Sequence, residues 1–173
     1  MLSKAKAIAS QIVEWRRDFH MYPELAFEEY RTAERVEKEL KVLGYRVRTG
    51  IGETGVVGEI GYGSPVVAIR ADMDALPIEE NNDVPYRSTR QGLMHACGHD
   101  AHIAIGLATA TLIRKEEFPG TIRFIFQPAE EESDENGISG AQHMIGEGVM
   151  DGVEAVIALH VDSAIKAGEI RTR

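Results

Sequence analysis

The sequence predicts an α/β fold, a three-layer α/β/α sandwich built on a mixed sheet. Three observations carry this. Segments of helical period alternate with segments of strand period. The strand-like runs are rich in β-branched residues and bounded by Gly and Pro. The residues able to do chemistry cluster just past the ends of those runs, where open α/β sheets hold their ligands. At 173 residues and 43% hydrophobic, the chain is long enough for one domain with a real core. No repeat, low-complexity tract or linker divides it.

Ile8, Ile12, Val13, Trp15 and Phe19 recur at helical spacing and predict a first helix ending near His20, with Pro23 beyond it. A second helix is expected over 28–43, burying Ala33, Val36, Leu40 and Leu43, with Gly44 as its stop. The period then changes, and 45–47, 55–60 and 66–70 read as strands. Residues 71–98 form a long polar loop of the kind that often carries function. Asp100 is expected to cap a third helix covering 102–114. Thr121-Ile122-Arg123-Phe124-Ile125-Phe126 reads as a strand stopped by Pro128. Residues 139–149 follow as a helix, 153–159 as a strand, and 168–171 as a last short strand.

Lys plus Arg number 19 against 28 Asp plus Glu, a formal net charge of −9. That balance disfavours nucleic acid, which is bound by a basic face, and an anionic membrane surface. No apolar run is long enough to span a bilayer, and the first residues hold no apolar signal core. A lone thiol fits a reducing compartment, so a cytoplasmic location is expected.

The densest chemistry lies in Met94-His95-Ala96-Cys97-Gly98-His99-Asp100-Ala101-His102, which contains the only cysteine. One cysteine cannot form an internal disulfide. In extended backbone Cys97 and His99 point the same way, and Gly98 lets the chain bend around an ion. By itself a buried cysteine is usually an inert small hydrophobe. Beside His95, His99, Asp100 and His102, the metal reading is preferred. Glu130 and Glu131 follow a core strand. Adjacent side chains diverge, so one can bind metal while the other serves a water as general base. As an acidic run, Glu131, Glu132, Asp134 and Glu135 fit a solvated surface, and only the position of the Glu130-Glu131 pair just past a core strand argues otherwise. His160 ends an apolar strand and is raised to a candidate ligand only by the other clusters. Asp72 and Asp74 lie just past a strand, in a turn or orienting a ligand by accepting an imidazole N–H. His20 and His143 read as structural. No phosphate-binding glycine loop or Gly-x-Ser-x-Gly elbow is present. A metal-dependent deaminase is disfavoured because Pro-Cys-x-x-Cys is missing.

Six ordered segments resemble one family. They are Arg16-Arg17-Asp18-Phe19-His20-Met21-Tyr22-Pro23-Glu24-Leu25, Arg70-Ala71-Asp72-Met73-Asp74-Ala75-Leu76-Pro77, Met94-His95-Ala96-Cys97-Gly98-His99-Asp100, Phe126-Gln127-Pro128-Ala129-Glu130-Glu131, Gly148-Val149-Met150 and Ala158-Leu159-His160. The chain resembles the M20 metallopeptidases and amidohydrolases, in the branch of hippurate hydrolases, N-acyl-amino-acid amidohydrolases, indoleacetyl-amino-acid hydrolases and certain archaeal carboxypeptidases. The resemblance implies a zinc-exopeptidase-like catalytic domain holding two divalent metal ions, manganese, zinc, cobalt or nickel. It implies Cys97, His99, Glu131 and His160 as ligands, Glu130 as catalytic acid/base, and Asp74 as the catalytic-site aspartate that supports a ligand. Asp72 stands where the wider family has a histidine and is not expected to ligate; His102 belongs to the motif without an assigned role.

The implied reaction is hydrolysis of the amide bond of an N-acyl amino acid or of a C-terminal peptide bond, so the partner is a small substrate. Family members are roughly twice this length. Residues 1–173 are therefore expected to be the N-terminal portion of an incomplete catalytic domain. A lid that mediates homo-oligomerisation and a return segment with a further histidine would lie outside it. The alternative is a non-catalytic fragment that needs its missing C-terminal half.

Overall fold

The computed structural model describes residues 1–172. Its helices are α1 (Leu2–Ala7), α2 (Ala9–Met21), α3 (Tyr30–Val42), α4 (His99–Ile113) and α5 (Gly140–Gly146). Its strands are β1 (Arg46–Ile51), β2 (Gly55–Tyr62), β3 (Val66–Asp72), β4 (Gly120–Gln127) and β5 (Val153–Ala158). The five strands form one sheet in the order β1-β2-β4-β3-β5. The β1–β2 and β2–β4 pairs are antiparallel, and the β3–β4 and β3–β5 pairs parallel. The expected mixed sheet is therefore present.

Two-residue periodicity sorts the strand side chains onto two faces. Val56, Ala71, Phe124 and Phe126 pack with Trp15 and Phe19 of α2, Val36 and Leu40 of α3, and Ile103 and Leu107 of α4. Val57, Ala68 and Ile125 pack on the opposite face with Met144 of α5 and Val149. Helices thus cover both faces, giving the three layers expected. The Ser139 hydroxyl accepts from the Gln142 amide while the Gln142 side chain accepts from the Ser139 amide, a reciprocal cap that starts α5. On the solvent side of α3, Arg35–Glu39 and Lys41–Glu37 pair one turn apart.

Phe19 is fully buried at 0% exposure. Truncating it to alanine leaves a cavity beneath α4, and Phe19→Ala should lose about 3–5 kcal/mol of stability. Urea denaturation of the two proteins measures this; a loss below about 1 kcal/mol would contradict this placement of the core.

Three expectations need correction. The first helix is α2, which ends at Met21 close to the expected His20, but Ile8 is its N-cap with φ −109° and not one of its helical residues, and a separate α1 precedes it. Asp100 does not cap α4: Gly98 is the N-cap and Asp100 lies in the first turn. Its buried carboxylate is drawn instead to Arg16 and His20. Residues 168–171 form no strand, because among the described residues they pair with no neighbour; Gly168 turns the chain with φ +92°. Ala71 and Asp72 complete β3, and the segment from 73 to 98 is irregular as expected, with a bridge from Leu76 to Met94 across it. Among the described residues, no helix is long and apolar enough to cross a membrane.

Candidate metal centre

Strands β3, β4 and β5 run parallel, so their C-terminal ends share one rim of the sheet. Asp72 closes β3 with Asp74 two residues on, Glu130 and Glu131 follow β4, and His160 follows β5. α4 starts at the same rim, with Cys97 and Gly98 leading into His99. Gly98 holds φ +86°, and a Cβ there would come within 2.3 Å of Val161. Only glycine fits this turn, which sets Cys97 and His99 on either side of it.

Donor atoms of Cys97, His99 and Glu131 all lie within 4.8 Å of one another. His99 Nδ1 stands 2.9 Å from the Asp74 carbonyl oxygen and 3.1 Å from Asp74 Oδ1. Those acceptors require an N–H at Nδ1, which makes Nε2 the ring nitrogen that faces the neighbouring carboxylates. Among the described residues, His99 Nε2 is buried and has no hydrogen-bond partner, and the same holds for Glu131 Oε1. The two are 3.6 Å apart, with Glu130 Oε2 at 3.8 Å and Asp72 Oδ1 at 3.7 Å from the same nitrogen. Against the effect of burial, Asp74, Asp72 and Glu131 raise the His99 pKa above its ordinary value, and a cation among these atoms would satisfy the nitrogen and the oxygens together. Burial, then the carboxylates of Glu131, Glu130 and Asp72, push the Cys97 thiol up to about 12. The same surroundings favour a divalent ion, whose binding displaces the thiol proton. Thiolate, imidazole and carboxylate together make a donor set that suits zinc and its first-row neighbours.

A second group, Asp72, His99 and His102, also falls within 4.8 Å. Here the geometry differs. His102 Nδ1 is 2.5 Å from Asp72 Oδ1, and His102 Nε2 accepts from the Val161 N–H at 2.9 Å. Both ring nitrogens of His102 are therefore occupied by protein. Asp72 is further held by Arg70 at 2.7 Å. Burial alone would raise the Asp72 carboxyl, but His102, His99 and Arg70 outweigh it and hold it below the ordinary range.

His160 belongs to neither donor group. Its exposed ring sits 5.2 Å, centroid to centroid, from that of His102. It lines a cavity of about 650 Å³ together with Cys97, Gly98 and His95. Asp74 is buried and accepts from the backbone amides of both Glu130 and Glu131 at 2.9 Å. Glu130 leaves this loop with its side chain 39% exposed.

Several buried groups near the site carry no local sequence signal. Glu29 is fully buried; it accepts the Ala129 amide at 2.8 Å and the Thr54 hydroxyl. Burial pushes its carboxyl up to about 7. His20, read from sequence as structural, bridges Asp100 at 2.7 Å and Glu80 at 3.1 Å. The Asp100 hydrogen bond, acting against burial and helped by Glu80, raises its pKa above 6.5. An imidazole with a raised folded value stabilises fully below its unfolded pKa, and that stabilisation is lost as pH rises through the folded one. Stability should therefore fall as pH climbs above about 6.5. In His20→Asn this part of the decline should vanish, as read from urea midpoints across pH; an unchanged slope would exclude His20 as its source. The partners of these residues are distant in sequence, so no local pattern marks their contacts, although His20 lies within the family-like segment 16–25.

Residues 68–173 match the model of peptidase family M20/M25/M40. The chain is 45% identical to thermostable carboxypeptidase 1 of Saccharolobus solfataricus, covering 100% of this chain and 46% of that protein. It is 42% identical to the N-acyl-L-amino acid amidohydrolase of Geobacillus stearothermophilus, covering 94% of this chain and 44% of the relative. A Bacillus subtilis structure described as a dinuclear metal binding peptidase from the M20 family aligns with a TM-score of 0.83 at 41% identity, over 91% of this chain and 44% of that one. The chain thus spans less than half the length of these relatives. With the family model matching well over half of its residues, the chain belongs to peptidase family M20/M25/M40.

Proposed function

We propose that this chain supplies the metal-binding half of an amidohydrolase or carboxypeptidase, acting on N-acyl amino acids or on C-terminal peptide bonds. The observation that carries the reading is the buried, bare pair His99 Nε2 and Glu131 Oε1, beside the Cys97 sulfur. The names of the relatives support the reaction class, and the dinuclear description of one of them supports two ions. Manganese, zinc, cobalt or nickel would suit the donors. Residues 1–173 are the N-terminal portion of the catalytic domain in this reading. A lid that mediates homo-oligomerisation and a return segment would come from elsewhere in the protein. A cytoplasmic location belongs to this reading, since a lone free thiol suits a reducing compartment.

Cys97, His99 and Glu131 would hold metal, with His160 as a further ligand from the end of β5. Bound metal supplies a Lewis acid that polarises the scissile carbonyl and acidifies water. Glu130, its side chain partly exposed and 3.8 Å from His99 Nε2, takes the proton of the attacking water and returns it to the leaving nitrogen. Asp74 holds His99 in the tautomer that presents Nε2 and ties down the backbone of both glutamates.

The test is metal retention. Cys97→Ala should lower affinity for zinc by at least about tenfold, seen as lost metal in elemental analysis after dialysis. Equal zinc content in the two proteins would reject the centre. Chelation of the unaltered chain should give metal-free protein that takes up zinc again. If it binds zinc yet the whole protein cleaves no N-acyl amino acid or peptide, the non-catalytic alternative stands instead.

A further inference from the structure

Residues 128–131 carry both glutamates of the proposed centre, and two buried carboxylates grip their backbone. Asp74 takes the amides of Glu130 and Glu131, while Glu29 takes that of Ala129 at 2.8 Å. Glu29 is 0% exposed. Stripping water from a carboxylate is unfavourable, and the Ala129 amide and the Thr54 hydroxyl offset part of that cost here. The residue stands at the N-cap of α3 yet makes no side-chain capping bond to that helix. It reaches instead to a residue 100 positions along the chain. That residue, Ala129, holds φ +45°, a conformation disfavoured for any side chain with a Cβ. Its carbonyl accepts from the Gly140 amide at 3.0 Å. A Cβ at Gly140 would lie 1.9 Å from the Pro128 carbonyl oxygen, so that approach admits only glycine.

From this arrangement we propose that Glu29 is a positioning residue. Its carboxylate holds Ala129 in the left-handed conformation and so sets the directions in which Glu130 and Glu131 leave the backbone. The inference rests on the reading of Glu131 as a ligand and Glu130 as acid/base. Rotation of the peptide at Ala129 would swing both side chains, and misplacement of a catalytic group by about 1 Å can cost roughly 10²-fold in rate.

Two variants separate positioning from packing. Glu29→Gln keeps an acceptor for the Ala129 amide, whereas Glu29→Leu fills similar space without one. In the metal-free chain, Glu29→Leu should speed hydrogen exchange at the amides of Ala129, Glu130 and Glu131 by roughly tenfold, the loss of one buried hydrogen bond. Exchange in β4 should not change. Zinc affinity should fall by about 10–100-fold in Glu29→Leu and stay within about threefold of the unaltered chain in Glu29→Gln. Unchanged exchange at 129–131 would overturn the proposal. So would equal acceleration throughout β4, which would mean that Glu29 only fills the core, or a Glu29→Gln as impaired as Glu29→Leu. Should Glu29→Leu not fold, Glu29→Asp withdraws the carboxylate by one methylene and is read by the same two measurements. The exchange pattern needs no metal. An unaltered chain that binds no zinc therefore sinks the hydrolase reading while exchange still judges Glu29.

Discussion

Glu130→Gln should lower kcat by about 10²–10⁴-fold, the usual contribution of a general acid/base. The zinc content should not change. Both halves follow from the geometry. Glu130 lies outside the donor group made by Cys97, His99 and Glu131. Its link to Asp74 runs through its backbone amide at 2.9 Å, which glutamine retains. Glutamine has nearly the same shape but cannot take a proton from water. KM for an N-acyl amino acid should move little, because the lost interaction belongs to the transition state. The measurement is steady-state kinetics on the whole protein, paired with elemental analysis of the same samples. A variant with unaltered kcat would remove Glu130 from the chemistry, whatever its metal content.

Asp74→Ala should be the most damaging single change at the centre. Asp74 Oδ1 faces the His99 ring at 3.1 Å, and Oδ2 accepts the Glu130 and Glu131 amides at 2.9 Å. Alanine strands these two amides, and an unsatisfied buried donor costs about 1–3 kcal/mol. It also leaves the His99 ring with only the residue 74 carbonyl oxygen to orient it. Loss of such an orienting partner typically weakens metal binding by about 10–100-fold. Urea denaturation and zinc titration should therefore both shift. Asp74→Asn should be milder, since its amide oxygen can still accept from the loop. Full zinc affinity in Asp74→Ala would show that His99 and Glu131 are held by something else.

Much of the architecture was legible as pattern. The apolar run Phe124-Ile125-Phe126 reads as part of a strand, and the structure covers both of that strand's faces. The helical spacing of Trp15 with Phe19 and of Val36 with Leu40 marked the faces that are buried. Errors arose where local chemistry has two outlets. Asp100 has the composition of a helix cap, but Arg16 and His20 compete for its carboxylate and win. Gly168 to Arg171 looks extended, yet a strand exists only when another strand accepts its hydrogen bonds.

The candidate site divides in the same way. The spacing of Cys97, Gly98 and His99, and the adjacency of Glu130 and Glu131, are local properties, and their chemistry could be read from the chain alone. Glu29 could not be read, because nothing near it in sequence explains a buried acid. Its partner Ala129 lies 100 residues away.

The order of residues by itself determined the period of each element, the donor types at each strand end and the family the chain resembles. These depend on neighbours a few positions apart, which any conformation keeps close. The tertiary structure alone decided which donors are left bare. Asp72 occupies one nitrogen of His102 and the Val161 amide the other, whereas Asp74 takes only Nδ1 of His99 and frees Nε2. That selection depends on which parallel strands end side by side and on where water is excluded, and both are set only once the sheet has closed under α4.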